Sequence, residues 1–188
     1  EAGHAVVAHY LPYSDPVHKV TIVGRGMAGG YTLTLPEEDR WYETRTELEE
    51  RLAHMLGGRA AEELVLGEVS TGAHNDLEQV TKIARRMVME YGMSEELGPL
   101  TFGRQNEELI FLGRDIARDR NYSERVAAAI DKEVRRLVET AYIRAQEILR
   151  EHRAELDRVT EALLERETLG REEFAALMRG EEIGQSVA

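Results

Sequence analysis

The sequence predicts a mainly α-helical protein with a small β element near the N-terminus and a long helical region at the C-terminal end. Apolar residues recur at helical spacing over most of the chain after Pro36, whereas alternation with a period of two is confined to a short stretch before it. The chain has 188 residues, which is enough to bury one hydrophobic core. No internal repeat divides it.

The first elements are a helix and two strands. Residues 1–11 carry small and apolar side chains at helical spacing and stop at Pro12, so we interpret them as the remainder of a helix. Residues 17–23 are rich in β-branched side chains, and residues 31–35 alternate between apolar and polar. Several glycines separate the two runs, which predicts a hairpin or a pair of neighbouring strands.

Helical signals begin again after Pro36. Thr44 and Glu47 form a capping-box pair, which predicts a helix through Leu56. The glycine pair at 57 and 58 is a candidate interruption before a further helical stretch from Arg59 to Leu66. Thr71 or Asn75 is expected to cap the next helix.

That next helix is predicted to run to Tyr91, with Gly92 as its C-terminal stop. Residues 93–114 contain glycines, a proline and short apolar runs at 100–102 and 109–112, which favours a loop with room for a small hairpin.

The C-terminal region is predicted to be a set of helices. Ser123 caps a long helix to Glu151, with an apolar seam on one side and a length of about 45 Å. A second helix follows to about residue 165, and a short one covers 170–178. We therefore expect one domain over residues 1–180, its helical C-terminal region starting at about 123, and a flexible tail over 181–188.

Composition excludes several functions. The chain has 24 basic and 36 acidic residues, a formal charge of −12, which argues against a nucleic-acid-binding surface. Cysteine is absent, so disulfides, thiol catalysis and Cys-ligated metals are excluded, and any metal must be bound by His and carboxylates. No apolar run approaches the ~20 residues that span a bilayer, and we expect a soluble fragment. A G-x-G-x-x-G string at 24–29 is followed by a strand rather than a helix, so it does not predict a dinucleotide site.

The opening residues are the first candidates for chemistry. Glu1 and His4 match the last four positions of H-E-x-x-H, the zinc-peptidase helix. In that pattern two His four residues apart bind one metal from the same helix face, and the Glu takes a proton from a water. The residue before Glu1 is not in this sequence, so the first His ligand is inferred.

A catalytic zinc site needs a further protein ligand. His74 and Asp76 lie at the start of a predicted helix, and Glu62 and Glu63 lie on another. Spacing alone leaves the choice among these four open.

Seven motifs in register give the sequence a more specific identity. The motifs are Glu1-Ala-Gly-His4-Ala, Val17-His-Lys-Val-Thr-Ile22, Leu35-Pro-Glu-Glu-Asp-Arg40, Gly57-Gly-Arg-Ala-Ala-Glu-Glu63, Thr71-Gly-Ala-His-Asn-Asp76, Tyr91-Gly-Met-Ser94 and Phe111-Leu-Gly-Arg114. Together they resemble the peptidase domain of FtsH, a membrane-anchored, ATP-dependent zinc protease, from residue 1 to about 180.

The resemblance implies a helical zinc-peptidase domain with named site residues. His4 and Asp76 would be ligands of Zn²⁺ and Glu1 the general base, as part of an ATP-dependent endopeptidase acting on unfolded or membrane-extracted proteins. The departure is the missing first His, so the 188 residues alone are expected to bind zinc weakly and cleave poorly. ATP and Mg²⁺ enter only through an ATPase module that these residues do not contain.

The resemblance also implies a setting. The family is a homo-oligomer, a hexameric ring, held by an N-terminal anchor in the inner (plasma) membrane with the peptidase domain on the cytoplasmic side. An extended substrate is expected to pair with an edge strand of the 17–35 region, and we expect proline substitutions in 17–23 to slow cleavage. The alternative is a non-catalytic helical oligomerisation or interaction module that keeps the fold without a competent metal site.

Overall fold

A computed structural model describes residues 1–24, 29–36, 41–103 and 122–184. Most of these residues are helical, and a small antiparallel sheet takes two of its strands from the N-terminal region, so the mainly α prediction is confirmed. The elements in chain order are α1 (Ala2–Tyr10), β1 (Val17–Thr21), β2 (Tyr31–Thr34), α2 (Arg45–Leu66), a 3₁₀ turn (Thr71–Ala73), α3 (His74–Met89), α4 (Glu124–Glu151), α5 (Arg153–Arg166), β3 (Thr168–Gly170) and α6 (Arg171–Met178).

Helices α1 and α2 cross with their backbones in contact. A Cβ atom on Gly3 would lie 2.4 Å from the carbonyl oxygen of Gly57, and one on Gly57 would lie 2.8 Å from the carbonyl oxygen of Gly3. The glycine pair therefore does not interrupt α2, which is continuous from Arg45 to Leu66. The helix accepts the low helix propensity of these glycines because they allow the close approach of α1.

The core lies where α1, α2 and α4 meet. Its fully buried side chains come from helices α1 to α5 and from β1 and β3, and the burial of each large side chain stabilises the fold by roughly 1.5–3 kcal/mol. They include Val6, Val7, Leu52, Leu56, Met87, Ile130, Leu149, Leu156 and Leu169.

The sheet has the order β2–β1–β3, and both pairings are antiparallel. Val20 of β1 lies opposite Thr32 of β2 on one side and Leu169 of β3 on the other. The sequence analysis missed β3 because three residues are too few to show alternation. The structure also corrects the position of the proline substitutions in 17–23, because most of that stretch is the central strand β1. Because β1 is central, the edge within the 17–35 region is β2.

The helix starts agree with the predicted caps except at α3. Thr44 and Glu47 form the expected capping box of α2, and Ser123 accepts a hydrogen bond from the Val126 amide at α4. At α3 the predictions of Thr71 and Asn75 were wrong. Ser70 caps the 3₁₀ turn instead, because its hydroxyl accepts a hydrogen bond from the Gly72 amide.

The remaining boundaries differ from the predictions by a few residues. Helix α3 ends at Met89 rather than Tyr91, and Gly92 follows with a φ of +62°. Residues 93–103 are loop with one bridge between Ser94 and Gly98. Residues 104–114, which include the second apolar run of the region expected to have room for a hairpin, lie outside the described residues.

Residues 181–184 form no regular element but are attached to the domain. Ile183 packs against the core, and Arg166 donates hydrogen bonds to the carbonyl oxygens of Ile183 and Gly184. Residues 185–188 of the predicted flexible tail lie outside the described residues.

Candidate metal centre

His4 occupies the first turn of α1, against α2. Its ring Nδ1 lies 2.9 Å from the carbonyl oxygen of His54. A carbonyl can only accept a hydrogen bond, so Nδ1 carries the proton and the lone pair of the neutral ring is on Nε2. This is the arrangement by which metal-ligating histidines are usually oriented.

Asp76 meets that lone pair from the first turn of α3. Its Oδ2 lies 3.4 Å from His4 Nε2. Two ligand atoms of a tetrahedral zinc, each bound at about 2.0–2.1 Å, are separated by roughly 3.3 Å. The two side chains are thus already spaced as a pair of zinc ligands, and their nitrogen and oxygen atoms are ligand types that zinc accepts.

The loop before Asp76 is held by Glu62 of α2. One carboxylate oxygen of Glu62 accepts a hydrogen bond of 2.6 Å from the Ser70 hydroxyl, and the other accepts one of 3.2 Å from the Ser70 amide. The hydroxyl bond is the main cause that lowers the pKa of Glu62 below its ordinary value. Because Ser70 caps the turn that leads into α3, this contact sets the position of Asp76.

Gly58 closes the site from the α2 side. A Cβ atom there would lie 2.4 Å from His4 Nε2. The imidazole therefore occupies the space that any other residue at this position would fill. Gly57 and Gly58 act differently, since the first permits the approach of the two helices and the second makes room for the candidate ligand.

Glu1 precedes α1 and faces β2. Its Oε2 accepts a hydrogen bond of 3.0 Å from the Thr32 hydroxyl, which also lies 3.2 Å from the Glu1 carbonyl oxygen. Gly30 packs against the same side chain, because a Cβ on Gly30 would lie 2.9 Å from Glu1 Cγ. The edge strand thus orients this carboxylate.

These side chains share one cleft of about 840 Å³. Glu1, His4 and Asp76 all line it, between residues 29–32 on one wall and residues 71–75 on the other. The structure therefore brings into one cleft the three residues to which the resemblance assigns site roles.

The other three candidate ligands are not paired with His4 in the described structure. His74 lines the same cleft, next to Asp76, but the structure pairs His4 with Asp76. Glu62 is engaged by Ser70. Glu63 accepts hydrogen bonds from Tyr142 and Gln146 of α4, so its carboxylate faces away from the cleft.

His54 is a site residue that the sequence analysis assigned no role. Its ring stands edge-on to that of His4, with 6.1 Å between the centroids. Burial, followed by repulsion from His4, lowers the pKa of His54 to about 4, so the ring is neutral at physiological pH. No pattern in the sequence distinguishes it, because its contribution is a backbone carbonyl. Gly58 could have been recognised from the sequence, because two adjacent glycines are unfavourable inside a helix and indicate a close contact.

No group of three His, Asp or Glu side chains converges as a metal site in the described ranges, where the candidate ligands His4 and Asp76 form a pair. No helix in that part of the chain combines the length and apolar character needed to cross a bilayer.

Comparisons with known proteins found matches over nearly the whole chain. Residues 1–177 match the profile of Peptidase family M41. The chain is 58% identical over 97% of its length to an ATP-dependent zinc metalloprotease FtsH 1 from Thermoanaerobacter sp. (strain X514), covering 30% of that protein. It is 59% identical over 94% of its length to an FtsH 1 from Thermomicrobium roseum, covering 27% of that protein, and 52% identical over 96% to an FtsH from Thermotoga maritima, covering 30%. The chain thus spans less than a third of the length of these relatives.

Proposed function

The chain belongs to peptidase family M41, and from this premise we propose that it is the zinc endopeptidase domain of an ATP-dependent protease. The observation that carries the proposal is the 3.4 Å separation of His4 Nε2 and Asp76 Oδ2, in a cleft that Glu1 also lines. The residue types, their spacing and the fixed His4 tautomer fit a zinc ion.

Each of the candidate site residues has a separate role in the proposed reaction. His4 and Asp76 would hold the ion, with the residue before Glu1 as the expected further ligand. Zinc, when bound, supplies Lewis acidity toward a carbonyl and an activated water. Glu1 would accept the proton of the attacking water and deliver it to the leaving amine. The Thr32 hydroxyl keeps the Glu1 carboxylate facing the cleft between these transfers.

Substrate binding follows from the sheet order. β2 is an edge strand, and Thr32 within it touches Glu1, so an extended peptide paired with β2 would run past the proposed base. Backbone pairing ignores side-chain identity, which suits the cleavage of unfolded chains. A test peptide N-methylated on alternate residues should be cleaved more slowly than its unmethylated parent, and equal rates would refute pairing with β2.

The setting of the domain is part of the proposal. The relatives are named as ATP-dependent zinc metalloproteases. We propose that this domain works in the same way, on unfolded or membrane-extracted polypeptides, within a hexameric ring. ATP and Mg²⁺ would act on a separate ATPase module, and an anchor would hold the protein in the inner membrane with this domain on the cytoplasmic side.

Replacing Glu1 tests the assignment of the base. We expect Glu1→Gln, in the protein carrying its natural upstream residues, to keep its zinc and to lose casein cleavage by about 10²–10⁴-fold. Glu68→Gln is the matched control, because Glu68 is exposed and does not line the cleft. Zinc per chain is measured for both. Full cleavage by Glu1→Gln would contradict the role of Glu1. A wild-type protein that binds no zinc and cleaves nothing would favour the non-catalytic module instead.

A further inference from the structure

A second concavity, which we call the α3 trough, runs along the outer face of α3. It has a volume of about 680 Å³ and extends from His74 at the start of the helix to Phe102 and Gly103 beyond its end. His74 lines both the trough and the metal cleft. The trough therefore begins where the candidate metal centre ends.

The trough has an apolar floor. Leu77 and Met89, both half-buried, lie along it, and Phe102 closes its far end. Phe102 is fixed there, because its amide donates a 2.8 Å hydrogen bond to the Met89 carbonyl and its ring packs edge-on against Tyr122. The opposite face of α3 is buried in the core, so this face is the one presented to a ligand.

The charges on the rim largely neutralise one another. Arg85 lies 3.6 Å from Asp131, and Arg86 lies 3.1 Å from Glu90. The remaining ionic groups on the rim, Glu78 and Lys82, have opposite signs. A ligand would therefore be recognised by its apolar side chains more than by its net charge.

The length of the trough fits an extended polypeptide. Met89 lies 13 positions after Asp76, so the two are separated by about 20 Å along the helix at a rise of ~1.5 Å per residue. An extended chain covers that length with about six residues, at ~3.3 Å each.

We infer that the α3 trough is a remote substrate subsite, which takes large apolar side chains of the unfolded polypeptide up to about six residues from the scissile bond. This inference rests on the proposed function. The subsite would raise kcat/KM for segments that carry such side chains, because binding energy gained away from the reacting bond lowers the activation free energy that kcat/KM reports. It would give the protease a preference for the hydrophobic segments that folded proteins bury.

Blocking the trough without disturbing the core tests this. Thr81 lies on the exposed trough face of α3, and its hydroxyl donates a 2.8 Å hydrogen bond to the Leu77 carbonyl of the same helix. Thr81→Arg should therefore fold, keep its zinc and fill the trough, since arginine is a good helix former. Gln79→Arg is the matched control, because it adds the same side chain to the same helix outside the trough.

The substrates are four quenched peptides with the same scissile sequence. Two carry Leu-Phe at the positions five and six residues from the scissile bond, one on its N-terminal side and one on its C-terminal side. The other two carry Ser-Ser at the same positions. The zinc-loaded full-length protease and the Gln79→Arg variant should cleave one Leu-Phe peptide about tenfold better in kcat/KM than its Ser-Ser partner. Thr81→Arg should show a ratio near one, with the Ser-Ser peptides cleaved at the wild-type rate.

Other results would overturn the inference in distinguishable ways. An undiminished Leu-Phe preference in Thr81→Arg would exclude the trough and leave the proposed function intact. No cleavage of any of the four peptides by the zinc-loaded wild type would refute the proposed function, and the subsite with it. A change of sedimentation in Thr81→Arg, with all four peptides slowed equally, would show that the trough is a contact between copies of the chain.

Discussion

The metal-centre region and the C-terminal helices are built in different ways. Around the site, α1 and α2 touch through backbone at Gly3 and Gly57, and Gly58 lies against the His4 ring. In the C-terminal region, α4 and α5 bury regular rows of apolar side chains. A side chain in such a row has several neighbours that can adjust, whereas a backbone contact leaves nothing to adjust. We therefore expect substitutions at the contacts around the site to affect mainly zinc binding, and substitutions in the C-terminal helices to affect mainly the free energy of unfolding.

The largest effect on stability is expected from Leu149→Ala in α4. Leu149 is completely buried, so its truncation leaves a cavity and should lower the free energy of unfolding by about 2–5 kcal/mol. Urea unfolding measures this loss. Zinc affinity of the folded protein should stay unchanged, and a large loss of affinity would break the proposed division between the two regions.

Acid should destabilise the site region through His54. Its pKa is about 4 in the folded protein, against 6.5 as the ordinary value. The unfolded state therefore binds the proton first as pH falls, and stability declines from pH 6.5 toward 4, by up to about 3 kcal/mol. Urea midpoints of the zinc-free protein should fall more steeply over this range than those of His54→Asn. Parallel curves for the two proteins would exclude this role for His54.

Gly58→Ala should affect zinc binding far more than stability. Helix propensity alone would favour alanine by ~1 kcal/mol, but the added methyl would lie 2.4 Å from His4 Nε2 and displace the ring. We expect zinc affinity to fall about a hundredfold, in the upper range for a residue that orients a ligand. Zinc titration by calorimetry measures it. Gly184→Ala is the control, since nothing lies within 4 Å of a Cβ there, and equal affinities in the two variants would refute the account of Gly58.

The smallest effect on zinc affinity is expected from the neighbouring carboxylates Glu62 and Glu63, which should respond differently to the same substitution. Glu62→Gln weakens the charged hydrogen bonds to Ser70 that position the Asp76 loop, so zinc affinity should fall about tenfold. Glu63→Gln should leave affinity unchanged, because Glu63 binds Tyr142 and Gln146 on the far side of α2. Competition with a chelator measures both, and an equal loss in the two variants would contradict the positioning role of Glu62.

The C-terminal helices could be predicted from the sequence more completely than the site region, because their apolar rows are local whereas the site depends on contacts between distant residues. The long helix α4 follows from its apolar seam and the Ser123 cap, and the structure places it at Glu124–Glu151. Local signals of this kind are complete within a few turns. Strand β3 could not be predicted, because three residues become a strand only through pairing with β1.

The candidate site was predictable only in part. Residue spacing identified Glu1 and His4 as candidates and left four options for the other ligand, and it was the family resemblance that selected Asp76. The choice depends on the loop at Ser70 and on the α1–α2 crossing, both set by residues distant in sequence. The same limitation explains why the proline substitutions were placed in the central β1, since strand order within a sheet is a tertiary property.

Anomalous scattering from a crystal of the zinc-loaded protein would locate the bound ion. We expect one strong zinc peak within about 2.0–2.2 Å of both His4 Nε2 and an Asp76 carboxylate oxygen. A peak bound by other side chains, with Asp76 facing solvent, would contradict the assignment of the two ligands.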